Sequence, residues 1–186
     1  MAITIVETPG SATANSFVTE PEIIAYMATR LNASSWTSVS GSTCTEDEKK
    51  AMIEATRELS ALSYKGERVD STQALSWPRE DCPNPDSPGI DSIGGETLGD
   101  YPSDEIPQRV KDATCELAFQ FIKSGTTDVA AIDPTQGIIS KTVDVLSTTW
   151  AEPHLRAQGL ARYPRVLAYI KPLLSVAANG LQVFRT

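Results

Sequence analysis

The stretch Ile106 to Gly125, IPQRVKDATCELAFQFIKSG, has the clearest helical pattern in the chain and decides the fold class. Its apolar and small side chains recur at spacings of three and four, the period of one helix face. They are Val110, Ala113, Thr114, Leu117, Ala118, Phe121 and Ile122. Burying a large apolar side chain is worth about 1.5–3 kcal/mol. The segment is therefore predicted to be a core helix, opened by Pro107 and ended near Gly125.

Two helices are predicted upstream, each from a capping box in which a Thr hydroxyl and a Glu carboxylate satisfy each other's backbone amides. The boxes are Thr19 with Glu22 and Thr45 with Glu48. Each precedes an apolar face, formed by Ile23, Ile24, Met27 and Leu31 in the first helix and by Met52, Ala55, Leu59 and Leu62 in the second. Gly66 is expected to end the second helix as its left-handed residue.

A β-hairpin is predicted at about 137–150, because β-branched residues alternate loosely there around a turn near Val143 and Asp144. A last helix is expected from Pro164 to Asn179-Gly180, with Pro172 as a kink. Its apolar face comprises Val166, Leu167, Ile170, Leu173 and Leu174.

The terminal segment LQVFRT, residues 181–186, alternates apolar and polar residues like a short strand. It can pair with the protein's own hairpin as an edge strand or add to the sheet of a neighbouring subunit. Both interpretations stay open from the sequence.

No helical period survives from Gly66 to about Glu105, and prolines between Cys82 and Gly89 exclude regular helix there. A connection of this length is unusual in a compact domain and suggests a function or a partner. The prediction is a mainly α protein: a small helical bundle with a β-hairpin, a long Pro/Gly-rich loop and an extended C-terminal arm. One domain spans 1–178, with the loop insertion at about 67–105, and the arm spans 179–186.

Composition argues against several kinds of function. The formal charge of −8 opposes a broad phosphate-binding surface, and no apolar run reaches the length of a membrane span or has the form of a signal peptide. Cys44, Cys82 and Cys115 lack metal-ligand spacing and are expected to be reduced, and the single His154 is expected in a solvated loop.

Catalysis is not expected, since no phosphate loop, nucleophile elbow or zinc motif occurs. No cofactor or metal is expected either. A calcium site or a hydrolase would have to use the loop carboxylates, whose spacing does not match an EF-hand. These are Asp81, Asp86, Asp91, Glu96, Asp100, Asp104 and Glu105.

Trp77, in the stretch ALSWPRE (74–80), has three interpretations. With Leu75 it can plug the loop onto the bundle. With Arg79, Tyr64 and Tyr101 it can stack on nucleic-acid bases. As part of a Trp-Pro-Arg unit it can anchor a protein interface, because Trp and Arg are enriched in binding hot spots.

Taken in order, several short segments resemble the head-tail connector, or adaptor, proteins of tailed bacteriophages. Some of these are catalogued as DnaT-like single-stranded DNA-binding proteins. The resemblance covers most of the chain and rests on Glu22–Leu31, Trp36, Lys50–Leu59, Tyr64–Gly66, Gln73–Arg79 and Ile106–Ala118.

The resemblance implies a structural, non-enzymatic virion protein of the neck, made in the host bacterial cytoplasm. Its copies, expected to number twelve, would form a ring between the portal protein and a downstream neck, stopper or tail protein. Double-stranded DNA would pass through the ring during genome packaging and ejection without specific binding, and no membrane is involved. An acidic channel wall would repel the phosphates.

By the same resemblance, the arm Leu181, Gln182, Val183, Phe184, Arg185 and Thr186 would dock on the portal. Trp77, Pro78 and Arg79 would contact neighbouring subunits or the next ring. The alternative function is a single-stranded DNA-binding replication module.

Overall fold

The computed structural model describes residues 2–87, 99–125, 140–143, 146–149 and 159–175. Its α-helices are α1 (Glu20–Thr29), α2 (Glu46–Ser60), α3 (Gln108–Ser124) and α4 (Pro164–Ile170), and its 3-10 turns include Thr37–Ser40, Gly159–Arg162 and Lys171–Leu173. Strand β1 (Glu67–Arg68) pairs with β2 (Arg79–Glu80), and β3 (Ser140–Val143) pairs with β4 (Leu146–Thr149), both antiparallel. The predicted mainly α fold with a small hairpin is confirmed.

Helix α3 is the centre of the bundle, with α1, α2 and α4 packed against it. The face predicted from the sequence is buried, except that Ile122 is only partly covered. The opposite face, with Cys115, Glu116 and Phe119, is buried as well. Apolar periodicity predicts one buried face of a helix. Because α3 is central, its second face is buried as well, and that face was not predicted.

Both capping boxes form as predicted. The carboxylate of Glu22 accepts from the Thr19 amide at 2.7 Å, and that of Glu48 accepts from the Thr45 amide at 2.8 Å. The reciprocal bonds to the Thr hydroxyls are also present. Local hydrogen bonding therefore sets where α1 and α2 begin.

The predicted helix ends are less accurate. Helix α1 stops at Thr29, so Leu31 leaves the expected core face and its side chain is 83% exposed. Helix α2 stops at Ser60, and the left-handed Gly66 (φ 70°) turns the chain into β1 instead of capping the helix. The Gly125 prediction is confirmed, because this residue (φ 68°) caps α3.

The last helix is shorter than predicted. Its α-helical part ends at Ile170, a 3-10 turn follows, and Leu174 is extended. Pro172 thus helps to end the helix rather than kink it, since proline has no amide to continue the bonding. The following segment pairs with the chain after α2: Lys65 N donates to Leu173 O at 2.9 Å, and Ser175 N to Ser63 O at 3.0 Å.

The predicted hairpin is confirmed over the strands that the structure describes. Ser140 pairs with Thr149 and Val143 with Leu146, so the chain turns next to Val143 as expected. The remainder of the predicted hairpin range and the arm 179–186 lie outside the described residues. Both interpretations of LQVFRT therefore remain predictions.

Candidate functional site

Trp77 lies in the interior of the subunit, with its side chain 1% exposed. The rings of Tyr64 and Tyr101 meet it edge-on, at centroid distances of 5.4 Å and 6.2 Å. Pro78, joined to it by a cis peptide bond, is also buried. This is the geometry of the plug interpretation: the aromatic ring fixes the loop to the bundle and leaves no free face for a base.

Arg79 organises the chain around this plug. Its guanidinium donates to the carbonyl of Lys65 at 2.7 Å, of Gly66 at 2.5 Å and of Ser76 at 3.2 Å. The side chain is half-buried, and burial lowers the pKa of its guanidinium. Contact of the Trp77-Pro78-Arg79 unit with another subunit stays a prediction, for which Arg79 alone of the three retains appreciable exposed surface.

Gln73, which no sequence pattern singled out, holds the same loop from inside. This buried side chain donates from Nε2 to the carbonyls of Leu75 (2.8 Å) and Pro78 (3.1 Å), and it accepts from the Asp70 amide. Arg68 adds bonds to the carbonyls of Gln73 and Leu75. Residues 67–82, predicted to be part of a loop, are therefore densely bonded, because side chains satisfy backbone groups that the short β1–β2 ladder leaves unpaired.

The described ends of the long loop are held together at its base. Tyr101 N donates to Cys82 O at 2.9 Å, and Asn84 N donates to Gly99 O at 2.8 Å. Arg109, in the first turn of α3, forms a two-point ion pair with Asp86 at 2.6 and 2.7 Å. The loop thus leaves and rejoins the bundle at one place beside the start of α3.

A buried carboxylate, Glu116, joins three helices and was not predicted. Tyr26 of α1 donates to it at 2.9 Å, Arg30 just after α1 binds it at two points (2.9 and 3.0 Å), and Arg165 of α4 donates at 3.1 Å. The Arg30 guanidinium also lies 3.9 Å from the Phe119 ring centroid. Burial alone raises the pKa of Glu116, but these hydrogen bonds and positive charges more than offset it and hold the pKa below its ordinary value. A lone acidic residue between Cys115 and Leu117 was the only signal in the sequence.

Many of the basic side chains in the described surface are already paired. Lys111 binds Glu7 at 3.0 Å and Glu22 at 2.7 Å, and Lys49 binds Glu20 at 3.3 Å. Lys50 and Arg57 pair with acidic neighbours on α2. Among described residues, the exposed large apolar side chains are Leu31 and Val69, and neither is aromatic.

A family model described as "Putative DnaT-like ssDNA binding protein" matches residues 1–186. The chain belongs to this DnaT-like family. No curated protein and no solved structure matches it. The match agrees with the DnaT-like part of the resemblance noted from the sequence, and the neck-adaptor part stays a proposal.

For a DnaT-like protein, the arrangement around Trp77 matters because single-stranded DNA is commonly held by exposed aromatic rings above a basic groove. Trp36 and Trp77 are each 1% exposed and Tyr64 is 5% exposed. Tyr101 is half-buried against Trp77. Packing within the described part of this DnaT-like protein therefore accounts for the three aromatic stacking candidates, Trp77, Tyr64 and Tyr101, and also for Trp36.

The described residues of the DnaT-like chain contain no group of three or more His, Cys, Asp or Glu side chains arranged to hold a metal ion. Cys44, Cys82 and Cys115 are buried and free, and burial raises the pKa of each thiol. His154 lies outside the described residues. None of the described helices has the length and apolar composition that crossing a membrane requires.

Proposed function

We propose that this DnaT-like protein is a structural adaptor of the tailed-phage neck, forming a ring between portal and tail that extends the DNA channel. The observation that carries the proposal is the internal position of Trp77 and Pro78, with Arg79 bonded to backbone carbonyls. The Trp77-Pro78-Arg79 unit, a candidate for binding bases, instead packs and bonds within its own subunit. That rigidity suits a protein whose function is geometric and needs neither catalysis nor a cofactor.

The charge supports passage of DNA rather than capture. The chain carries a formal charge of −8, so a ring of twelve copies would surround the duplex with a strongly negative wall. Phosphates are repelled by such a wall and held by a basic one. Exposed carboxylates of α2, Glu46 and Asp47, are candidates for the channel face.

The proposed docking element is the arm Leu181 to Thr186, which would bind the portal as an added strand. The exposed part of Arg79 would meet a neighbouring subunit or the next ring. The protein would be made in the bacterial cytoplasm. It would become part of the virion when its arm docks on the portal.

Co-sedimentation with portal rings of the same genome tests the proposal, with the full chain compared with a chain lacking Leu181 to Thr186. Saturable binding by the full chain and loss of binding by the truncated chain are expected. An internal control is the circular dichroism of both chains, which should coincide because the deletion leaves the sequences of α1 to α4 intact. Absence of binding by the full chain would contradict the proposal.

Single-stranded DNA binding is the second candidate function, and the family's description favours it. It would need a cationic surface, and the described segment 159–175 contains Arg162, Arg165 and Lys171 without any carboxylate. Retention of a fluorescent oligonucleotide at low salt that falls steeply as NaCl is raised would support it. Such retention together with no portal binding would replace the first proposal.

A further inference from the structure

The charge of this chain is divided along its length. Residues 153–186 contain five basic side chains and no acidic one, whereas residues 1–152 contain 11 basic and 24 acidic side chains. Such asymmetry indicates a segment that binds an acidic partner. In the described part of this segment the charges sit on and beside α4.

The basic α4 face consists of Arg165 and Lys171, both exposed, with Arg165 at 64%. Arg165 touches Glu116, but that single negative charge is already met at two points by Arg30. A second guanidinium therefore leaves the cluster with an excess positive charge that faces solvent. Within the described residues, no carboxylate pairs with Lys171 and none other than Glu116 pairs with Arg165.

An acidic ridge of opposite sign lies at the base of the long loop. Its exposed members are Glu80, Asp81, Asp100, Asp104 and Glu105. The antiparallel bridge between Pro83 and Asp100 brings the two stretches of the ridge together. Across the described residues, no Lys or Arg nitrogen lies within ion-pair distance of these carboxylates. The ridge and the basic α4 face thus do not neutralise each other within one subunit.

We propose that the basic α4 face of one copy docks on the acidic ridge of a second copy, in a head-to-tail contact. The inference rests on the proposed adaptor ring, because two different surfaces that meet head-to-tail close into a ring when the rotation allows. A nucleic acid is the less suited partner for the α4 face. A strand longer than this small patch would run onto a chain that is otherwise strongly acidic.

Exposed ion pairs of this kind set register and partner choice more than affinity, and they are screened by salt. Self-association should therefore be strong at about 50 mM NaCl and at least about tenfold weaker at about 500 mM NaCl. Apolar contacts would add affinity that survives salt.

The test is sedimentation velocity of the full chain at up to about 100 μM, a concentration at which weak contacts are populated. Arg165→Gln with Lys171→Glu removes the basic face while leaving a donor for Glu116. We expect this double variant to lose association at least about tenfold at low salt. The matched control, Lys50→Glu with Arg57→Gln, makes the same change in formal charge on α2 and should associate like the wild type.

A charge swap sharpens the test. Asp104→Lys with Glu105→Gln makes the mirror-image change on the ridge and should also lose association. An equimolar mixture of the two defective variants should recover part of the association. The intact α4 face of the ridge variant can meet the intact ridge of the α4 variant, and the two altered surfaces carry opposite changes in charge, so they repel each other less than either repels its wild-type partner surface.

The proposal is overturned if the wild type stays monomeric at low salt, or if the α4 variant and its α2 control behave alike. It is also overturned if the α4 variant loses oligonucleotide retention but keeps association, which would assign the face to nucleic acid. Portal co-sedimentation tests the adaptor function separately from this contact between copies. Portal binding without a salt-sensitive contact between copies would keep the adaptor and discard only this interface.

Discussion

At Gly66 the backbone leaves no room for a side chain. Its φ is +70°, and an added Cβ would lie 2.2 Å from the Glu80 carbonyl oxygen and 2.9 Å from the Cys82 amide. Gly66→Ala should therefore lower the free energy of unfolding by at least about 3 kcal/mol, through both left-handed strain and the backbone clash. Urea denaturation followed by circular dichroism measures it.

Gly10 provides the matched control for this substitution. Its φ is +72°, but nothing lies within 4 Å of an added Cβ. Gly10→Ala should cost only the left-handed strain, about 1–2 kcal/mol. Equal costs for the two variants would show that the contact with β2 is not rigid.

Arg79 depends on the shape of its guanidinium as much as on its charge. Three nitrogens donate to three different carbonyls, and one lysine ammonium cannot reach all of them in that fork. Arg79→Lys should destabilise the fold by about 2 kcal/mol. Arg57→Lys, on the exposed surface of α2, should change stability by less than about 0.5 kcal/mol. Unchanged stability in Arg79→Lys would mean that water molecules donate to the carbonyls in place of the guanidinium.

At the scale of elements, the two capping boxes differ in how much structure each supports. The Glu48 side chain is 2% exposed, caps α2 and also accepts from the amides of Thr37 and Ser38 and from the Ser38 hydroxyl. It thereby fixes the 3-10 turn before α2. The matching residue in α1, Glu22, is exposed and binds Lys111 in addition to its cap.

Glu48→Gln should consequently cost more than Glu22→Gln, by about 2 kcal/mol. A buried carboxylate that accepts several donors cannot be replaced by an amide without leaving donors facing an NH₂ group. Thermal unfolding of both variants gives the comparison. Equal losses would mean that the turn Thr37–Ser40 does not depend on the carboxylate.

At the scale of the whole molecule, buried carboxylates make stability depend on pH. Burial raises the pKa of Glu48, but bonds from Ser38, Thr45 and Thr37 outweigh it, and the pKa lies below the ordinary 4.5, as it does for Glu116. A folded-state pKa below the unfolded value adds stability that is complete above the unfolded pKa. It is lost as pH falls through the folded pKa.

The free energy of unfolding should therefore be nearly level from pH 7 to about pH 5.5 and decline below about pH 4.5. The decline should be shallower in Glu48→Gln, which has one such group fewer. Urea denaturation at pH steps from 7 to 3 measures this. A decline in Glu48→Gln as steep as in the wild type would assign the acid sensitivity to other carboxylates.

How far the candidate site could be predicted differs between its parts. Trp77 was recognised as unusual, but its three interpretations could not be separated, because burial depends on Tyr64 and Tyr101, which lie 13 and 24 residues away in the chain. Glu116 was missed for the same reason, because its partners Tyr26, Arg30 and Arg165 come from distant parts of the chain. Gln73 was missed for another reason: its partners lie within five residues, but its bonds go to loop carbonyls and an amide in no regular pattern.

The sequence alone determined what depends on neighbours in the chain: the starts of α1 and α2, the core face of α3 with its glycine end, and the strands of the hairpin. Capping and periodicity act over three or four residues, so they are readable before folding. Only the tertiary structure decided that Leu31 is outside, that Trp77 is inside, and that Arg30 and Arg165 share Glu116. These outcomes depend on which surfaces are covered and which stay exposed when distant segments pack together. No short stretch of sequence contains that information.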